Sequence, residues 1–124
     1  MMTRKLIKLD PATGNYAEVD KVRLKREAIA LFEYIKTHID PNFDEHGIWK
    51  WVAPLCTGVL DGTLKLPMNS SERPLKYAIR EGMLPSDFED LYASFSITVT
   101  GMAREILDKT EVDGVTYMYA DFEE

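Results

Sequence analysis

The chain is poor in the residue groupings that build catalytic or metal centres. It holds one cysteine, Cys56, and two histidines, His38 and His46, in 124 residues. A single cysteine excludes an internal disulfide and suits a reducing compartment. No pair among the three has the spacing of a structural zinc site, which needs three or four ligands. The chain carries no Walker loop, no dinucleotide-binding glycine pattern, no Gly-x-Ser-x-Gly elbow and no His-Glu-x-x-His. A few acids scattered among helices do not make a glycosidase dyad. No stretch approaches the length of a membrane span, and the opening MMTRKLIKLDPATGN lacks an apolar leader core. These absences predict a cytoplasmic protein with no cofactor, no metal and no membrane partner. Asn69-Ser-Ser71 matches a glycosylation acceptor, but that pattern has no meaning without secretion.

What is present is an ordinary globular composition with an uneven charge. At 45% apolar and 29% charged the chain is well able to bury a core, and its length fits one domain, residues 1–124. Residues 108–124 (DKTEVDGVTYMYADFEE) hold six acids, Asp108, Glu111, Asp113, Asp121, Glu123 and Glu124, against Lys109 alone. That segment is −5 in a chain of −6, so everything before it sums to −1. Tyr117, Tyr119 and Phe122 lie among these acids. Net acidity weighs against a nucleic-acid partner, since phosphate binding needs local positive charge. Carboxylates mixed with tyrosines suit docking onto a basic protein: the rings give rigid contact area and the acids steer the encounter.

The element pattern predicts a mainly α, α+β fold, with four helices and a small antiparallel sheet. Lys5–Leu9 and Asn15–Val19 flank the Pro/Gly cluster Asp10–Gly14 and read as a hairpin. Asp20 reads as an N-cap, with Val19 and Leu24 placed as a hydrophobic staple. The first helix runs to about Ile39 on the stripe Ala28, Leu31, Phe32, Ile35 and Ile39. A second begins near Asp44 and keeps the phase Ile48, Val52, Leu55 and Val59 through Pro54, which should kink it, to Gly62. A third spans about 72–81, buries Leu75, Ala78 and Ile79, and stops at Gly82. The fourth opens on Ser86-Asp-Phe-Glu89, a capping-box spacing, and continues through Phe88, Leu91, Phe95, Val99, Met102 and Ile106. Within it Ser94–Thr100 (SFSITVT) alternates like a strand. Helix is preferred, because the helical phase survives on both sides and no turn signal bounds the alternation. Val115–Ala120 reads as a strand that pairs with the N-terminal hairpin, since a lone strand would leave its amides unpaired.

Candidate chemistry is thin. Asp40-Pro-Asn42-Phe-Asp44 imitates the opening of an EF-hand loop, but the sixth and twelfth places hold Glu45 and Trp51 where glycine and a bidentate glutamate are needed. A capped helix junction explains the segment better. His38 suits a helix C-terminus. Cys56 lies in the apolar run VAPLCTGVL, where a buried thiol is the commoner meaning, although a catalytic Cys56–His pair stays open as an alternative. The basic cluster Lys21, Arg23, Lys25 and Arg26 opposes the dipole of the first helix. Pairing with the acidic tail, Glu18 or Glu27 is favoured over an anionic ligand. Trp49 and Trp51 fall on different faces of the second helix. Trp51 lies nearer the apolar stripe, so Trp49 is read as the outer, anchor-capable ring.

The run Ser71-Glu-Arg-Pro-Leu-Lys-Tyr-Ala-Ile-Arg-Glu-Gly-Met-Leu-Pro85, with the small size, acidity and helical body, resembles the contact-dependent growth inhibition immunity proteins of Gram-negative bacteria. The resemblance covers the whole chain without a diagnostic motif, so it assigns no residue. It implies a non-enzymatic antitoxin that binds one cognate toxin domain, commonly a nuclease, and blocks its active site or substrate access. Two alternatives come from other classes: a small accessory or assembly protein of phage or plasmid origin, and a small enzyme using Cys56 with a histidine. The expected contact surface draws on Asp113, Tyr117, Tyr119, Asp121, Phe122 and Glu123, with Asp87, Glu89 and Asp90 from the start of the fourth helix. By alternation Tyr117 and Tyr119 share a face, either packed in a core or presented to a partner.

Overall fold

In the computed structural model, residues 2–102 and 108–123 are described. The elements follow in the order β1 (Met2–Lys8), α1 (Lys21–His38), α2 (Ala53–Asp61), α3 (Lys76–Arg80), α4 (Ser86–Thr100), β2 (Lys109–Val112) and β3 (Val115–Glu123). Four helices and a three-stranded antiparallel sheet make an α+β fold, with β3 in the centre of the order β1-β3-β2. The predicted class holds, but the hairpin is at the other end of the chain.

β1 pairs with β3 along its whole length, from Met2↔Glu123 to Lys8↔Tyr117. Residues 15–19 contribute only the isolated bridge Leu9↔Tyr16. The reason is where their backbone groups go. Tyr16 N–H donates to the carbonyl of Gly101 at 2.7 Å, and Asp20 turns the chain into α1, so no ladder continues beside β1. The true hairpin is β2–β3, closed by Asp113 and Gly114, both at positive φ (52° and 80°). That pair of left-handed residues matches the twist of a two-residue hairpin, for which Asp-Gly is a favoured sequence.

α1 begins where its cap predicts. Asp20 Oδ1 accepts the N–H of Arg23 at 3.1 Å, and Val19 and Leu24 are both buried. Leu24, Ala28, Leu31 and Ile35 face the core, with Phe32 and Ile39 packed at its margin. The fifteen residues of α4 include SFSITVT, so the alternation there was not a strand. Its hydroxyls are absorbed by the helix itself: Thr98 and Thr100 donate to the carbonyls of Ser94 and Ser96 at 3.2 and 2.7 Å. α4 ends earlier than its apolar phase suggests. Gly101 takes φ 73°, and the N–H groups of Gly101 and Met102 return to Thr98 and Ile97, a Schellman closure. Met102 is exposed, and the predicted Ile106 position lies outside the described residues.

Three further expectations are corrected. Pro85 occupies the N-cap of α4, which makes Ser86 its first helical residue, so the capping box is one residue out of register and does not form. α3 is shorter than expected: Pro74 and a left-handed Leu75 (φ 64°) precede it, and Ile79 faces solvent while Ala78 is buried. Ahead of α2, Ile48–Val52 form a π-helical turn, and the regular helix starts only at Ala53 with Pro54 in its first turn, not near Asp44. Ala53 N–H bonds five residues back to the Ile48 carbonyl, and the wider turn absorbs the donor that Pro54 lacks. The buried line of that segment becomes Ile48, Val52, Ala53 and Cys56, with Leu55 and Val59 only partly covered.

Candidate functional site

The expected contact residues fall into two groups that the helices hold apart. The first group is on the sheet. Met118 and Ala120 point into a small core with Ile7, Leu9 and Tyr16, which leaves Tyr117 and Tyr119 on the opposite face. Tyr119 is 40% exposed and Tyr117 half-buried, so the tyrosine pair is presented and not packed into the interior. Asp113 is exposed at the hairpin tip, with Asp108 and Glu111 exposed beside it.

The acids closing β3 have partners of their own. Arg4 donates two hydrogen bonds to Asp121, at 2.9 and 3.1 Å. Arg26 grips Glu123 in the same two-pronged way, and the Glu123 N–H donates to Asp20 Oδ2 at 2.7 Å. Arg4 holds the Asp121 carboxyl below its ordinary pKa, and Arg26 does the same to Glu123. Phe122 packs against the sheet core with the Lys5 ammonium 5.3 Å from its ring centroid. Thus, of the basic cluster at the start of α1, Arg26 answers the acidic tail and Arg23 pairs with Glu27 at 3.7 Å. Asp121 ties β3 to β1 through Arg4, Glu123 ties it to α1 through Arg26, and the exposed acids of this region lie on the hairpin.

The second group, Asp87, Glu89 and Asp90, opens α4. Its C-terminal residue neighbours Gly101, which touches Tyr16 beside the sheet. The fifteen-residue helix therefore carries the three acids roughly 15–20 Å away from that joint. Asp87 and Asp90 are exposed, whereas Glu89 is half-buried, with one carboxylate oxygen that accepts no hydrogen bond from the described residues. At that remote end Phe88 meets Tyr34 of α1, with ring centroids 6.3 Å apart, and Tyr34 stacks on His38 at 4.2 Å.

The same end holds aromatics that the sequence assigned the wrong way round. Trp49 is the anchored ring: its indole N–H donates to the Ile39 carbonyl at 2.6 Å, and its edge meets Phe32. Trp51 is the outward one, 54% exposed, and Phe43 is 82% exposed. The π-helical turn shifts the helical phase ahead of α2, which is why the extrapolated stripe misassigned both tryptophans. A Cys56 reaction centre finds no support in the geometry. The thiol is fully buried, and burial pushes its pKa up to about 12, far from the depressed values of reactive thiols. Among the described residues no group of three or more His, Cys, Asp or Glu is placed to hold a metal ion. A cleft of about 130 Å³ lies between sheet and α4, lined by Val19, Ile97, Met102 and Phe122 with Arg23 and Asp121, and a larger, open groove of about 590 Å³ runs past Lys5, Glu18, Lys21, Leu66 and Phe122. No helix among the described residues is long and apolar enough to cross a membrane.

Comparison with protein-family models, with curated proteins and with solved structures returned no match.

Proposed function

We propose that this chain is a non-enzymatic immunity protein that neutralises a cognate basic toxin domain, of the nuclease kind, by binding it in the cytoplasm. The observation that carries the reading is the outward tyrosine face of β3 beside the exposed acids Asp108, Glu111 and Asp113. Aromatic contact area flanked by exposed carboxylates fits association with a basic surface, where charge sets the encounter rate and the rings supply the packing. The buried, proton-retaining Cys56 weighs against the enzyme alternative. Asp121 and Glu123 contribute to this reading indirectly, by holding the strand that displays the tyrosines.

Affinity purification from the native host, followed by identification of the bound protein and of the gene beside it, tests the reading. The expected partner is a basic toxin domain whose activity falls stoichiometrically when this protein is added. Asp113→Ser together with Tyr119→Ser should weaken that complex and flatten its salt dependence. A partner that is acidic, or whose activity survives saturation with this protein, would sink the assignment.

A further inference from the structure

The most solvent-exposed aromatic surface lies elsewhere, in the segment between α1 and α2. Phe43 and Trp51 flank one turn: the Glu45 N–H bonds to the Phe43 carbonyl, the Gly47 N–H bonds to the Asp44 carbonyl, and the Trp51 ring lies on Gly47. A side chain at Gly47 would bring its Cβ within 2.6 Å of the Trp51 ring, and Gly47 also has φ 76°. The turn is built to be rigid. Asp40 caps the 3-10 turn Pro41–Phe43 through the Asn42 N–H at 2.9 Å. Asp44 accepts from the N–H groups of Ile48, Trp49 and Lys50 at 2.7, 2.8 and 3.2 Å, and half-buried Trp49 pins the base. A π-helical turn and a left-handed glycine are costly local choices, and such features recur at functional sites. Here they leave Phe43 almost wholly in water and hold the Trp51 ring on Gly47 with about half of its surface exposed.

The charges around these rings indicate what would cover them. Glu45 has a side chain 87% exposed, 4.0 Å from the His46 ring nitrogen, and Asp40 is exposed. Asp87 and Asp90 lie at the same end of the molecule, because Phe88 packs on Tyr34 in the C-terminal half of α1. Two cations share this surface: Lys36, paired with Glu33 at 2.7 Å, and exposed Lys50, whose ammonium lies 5.0 Å from the Trp51 ring centroid and would yield that face to an occupant. Aromatic anchors within an acidic surround fit a basic occupant whose guanidinium groups meet both carboxylates and ring faces. A second copy of this chain would bring like charge to like.

We infer that the Phe43–Trp51 turn is a docking surface for a basic protein segment carrying arginine and apolar side chains. This rests on the reading of the chain as a protein-binding module and adds a second contact to that of the sheet, at the opposite end of α1, roughly 27 Å away along eighteen residues. The test is a titration of the isotope-labelled protein with an alternating arginine–leucine peptide, and with its glutamate–leucine counterpart, followed by amide and indole resonances. The arginine peptide should move Gly47, Glu45 and the Trp51 indole and weaken in high salt, while the glutamate peptide leaves them in place. Trp51→Ala should cost at least about tenfold in affinity, the scale of a central interface tryptophan. Phe43→Ser, on a side chain almost wholly in water, keeps the test valid should the tryptophan variant misfold. Shifts confined to 108–123 would remove this surface while leaving the binding reading intact. Equal binding of both peptides, or of neither, would overturn the inference. A Trp51-dependent dimer in sedimentation would assign the surface to a second copy and overturn the basic occupant.

Discussion

The helical body and the sheet are held by different forces. Among the described residues the helical core gathers sixteen buried residues, including Phe88, Tyr92 and Phe95 from α4 and Leu24, Leu31 and Ile35 from α1. The sheet has five, Ile7, Leu9, Tyr16, Met118 and Ala120. What the sheet lacks in apolar burial is offset by polar joints to the body. Tyr16 N–H meets the Gly101 carbonyl, and Asp20 and Arg26 hold Glu123, while within the sheet part Tyr16 O–H donates to the Tyr119 carbonyl at 2.7 Å. Burial scales with area and is insensitive to angle, whereas a joint made of hydrogen bonds depends on a few positions. The helical body should therefore tolerate conservative repacking, and the sheet should be released by single changes at its attachments.

The largest effect tests the first half of that contrast. Phe95 is fully buried in the helical core, and Phe95→Ala should cost about 3–5 kcal/mol in denaturant unfolding, the transfer loss plus an unfilled cavity. Met118→Ala, in the smaller cluster, should cost about 2 kcal/mol, because fewer neighbours surround the vacated volume. Equal losses would mean that the two clusters behave as one core and that the contrast is false.

The sequence made the helical body legible and the attachments obscure, for a physical reason. Periodicity reports burial, so Leu24, Ala28, Leu31 and Ile35 were visible as a stripe, and the Phe95–Val99 spacing outweighed the strand-like SFSITVT. Asp20 was also legible, because an N-cap acts on its own neighbours. The π-helical turn was not: nothing at Ile48–Val52 signals a phase slip, and Trp49 and Trp51 were exchanged in consequence. Asp113-Gly114 did announce a hairpin, but DKTEV before it has one apolar residue and no alternation, so β2 went unseen. Pro85 displaced the capping box because its carbonyl already accepts the Glu89 N–H at 3.0 Å. For the candidate surface, the tyrosine pair was readable as sharing a face, and the Arg26–Glu123 pairing was expected in kind from the basic cluster. Which acids stayed free was not readable, since that depends on which strand end reaches which helix.

A smaller effect addresses the joint between the parts. Gly101 combines a left-handed φ with a carbonyl, that of Tyr16, 2.5 Å from where a Cβ would stand. Gly101→Ala should cost about 2 kcal/mol through strain and a displaced Tyr16 strand. The loss should be local. Hydrogen exchange is expected to accelerate at Met118 and Ala120 while amides of Leu31 and Phe95 keep their protection. Uniform acceleration across both parts would place Gly101 within a single cooperative unit and dissolve the distinction.

The smallest effect is electrostatic. Arg4 and Arg26 lower the pKa values of Asp121 and Glu123 in the folded chain, while unfolded carboxyls titrate near about 4. Carboxyls with depressed folded pKa values bind protons more readily when unfolded. They contribute stability above the unfolded pKa and lose it as pH falls through the folded one. The attachment of β3 should thus be constant from neutral pH down to about pH 5 and weaken below about pH 4. Both pairs are open to solvent, so the change is small and salt should reduce it further. Hydrogen exchange at the Glu123 amide, whose donor bond to Asp20 sits beside the Arg26 pair, gives a local readout. Arg26→Gln should flatten the acid response of that amide and leave amides in α4 untouched. An acid response that is unchanged in the variant would show that the sheet is held by Asp20 and its apolar cluster alone, with the ion pairs as ornaments of the surface.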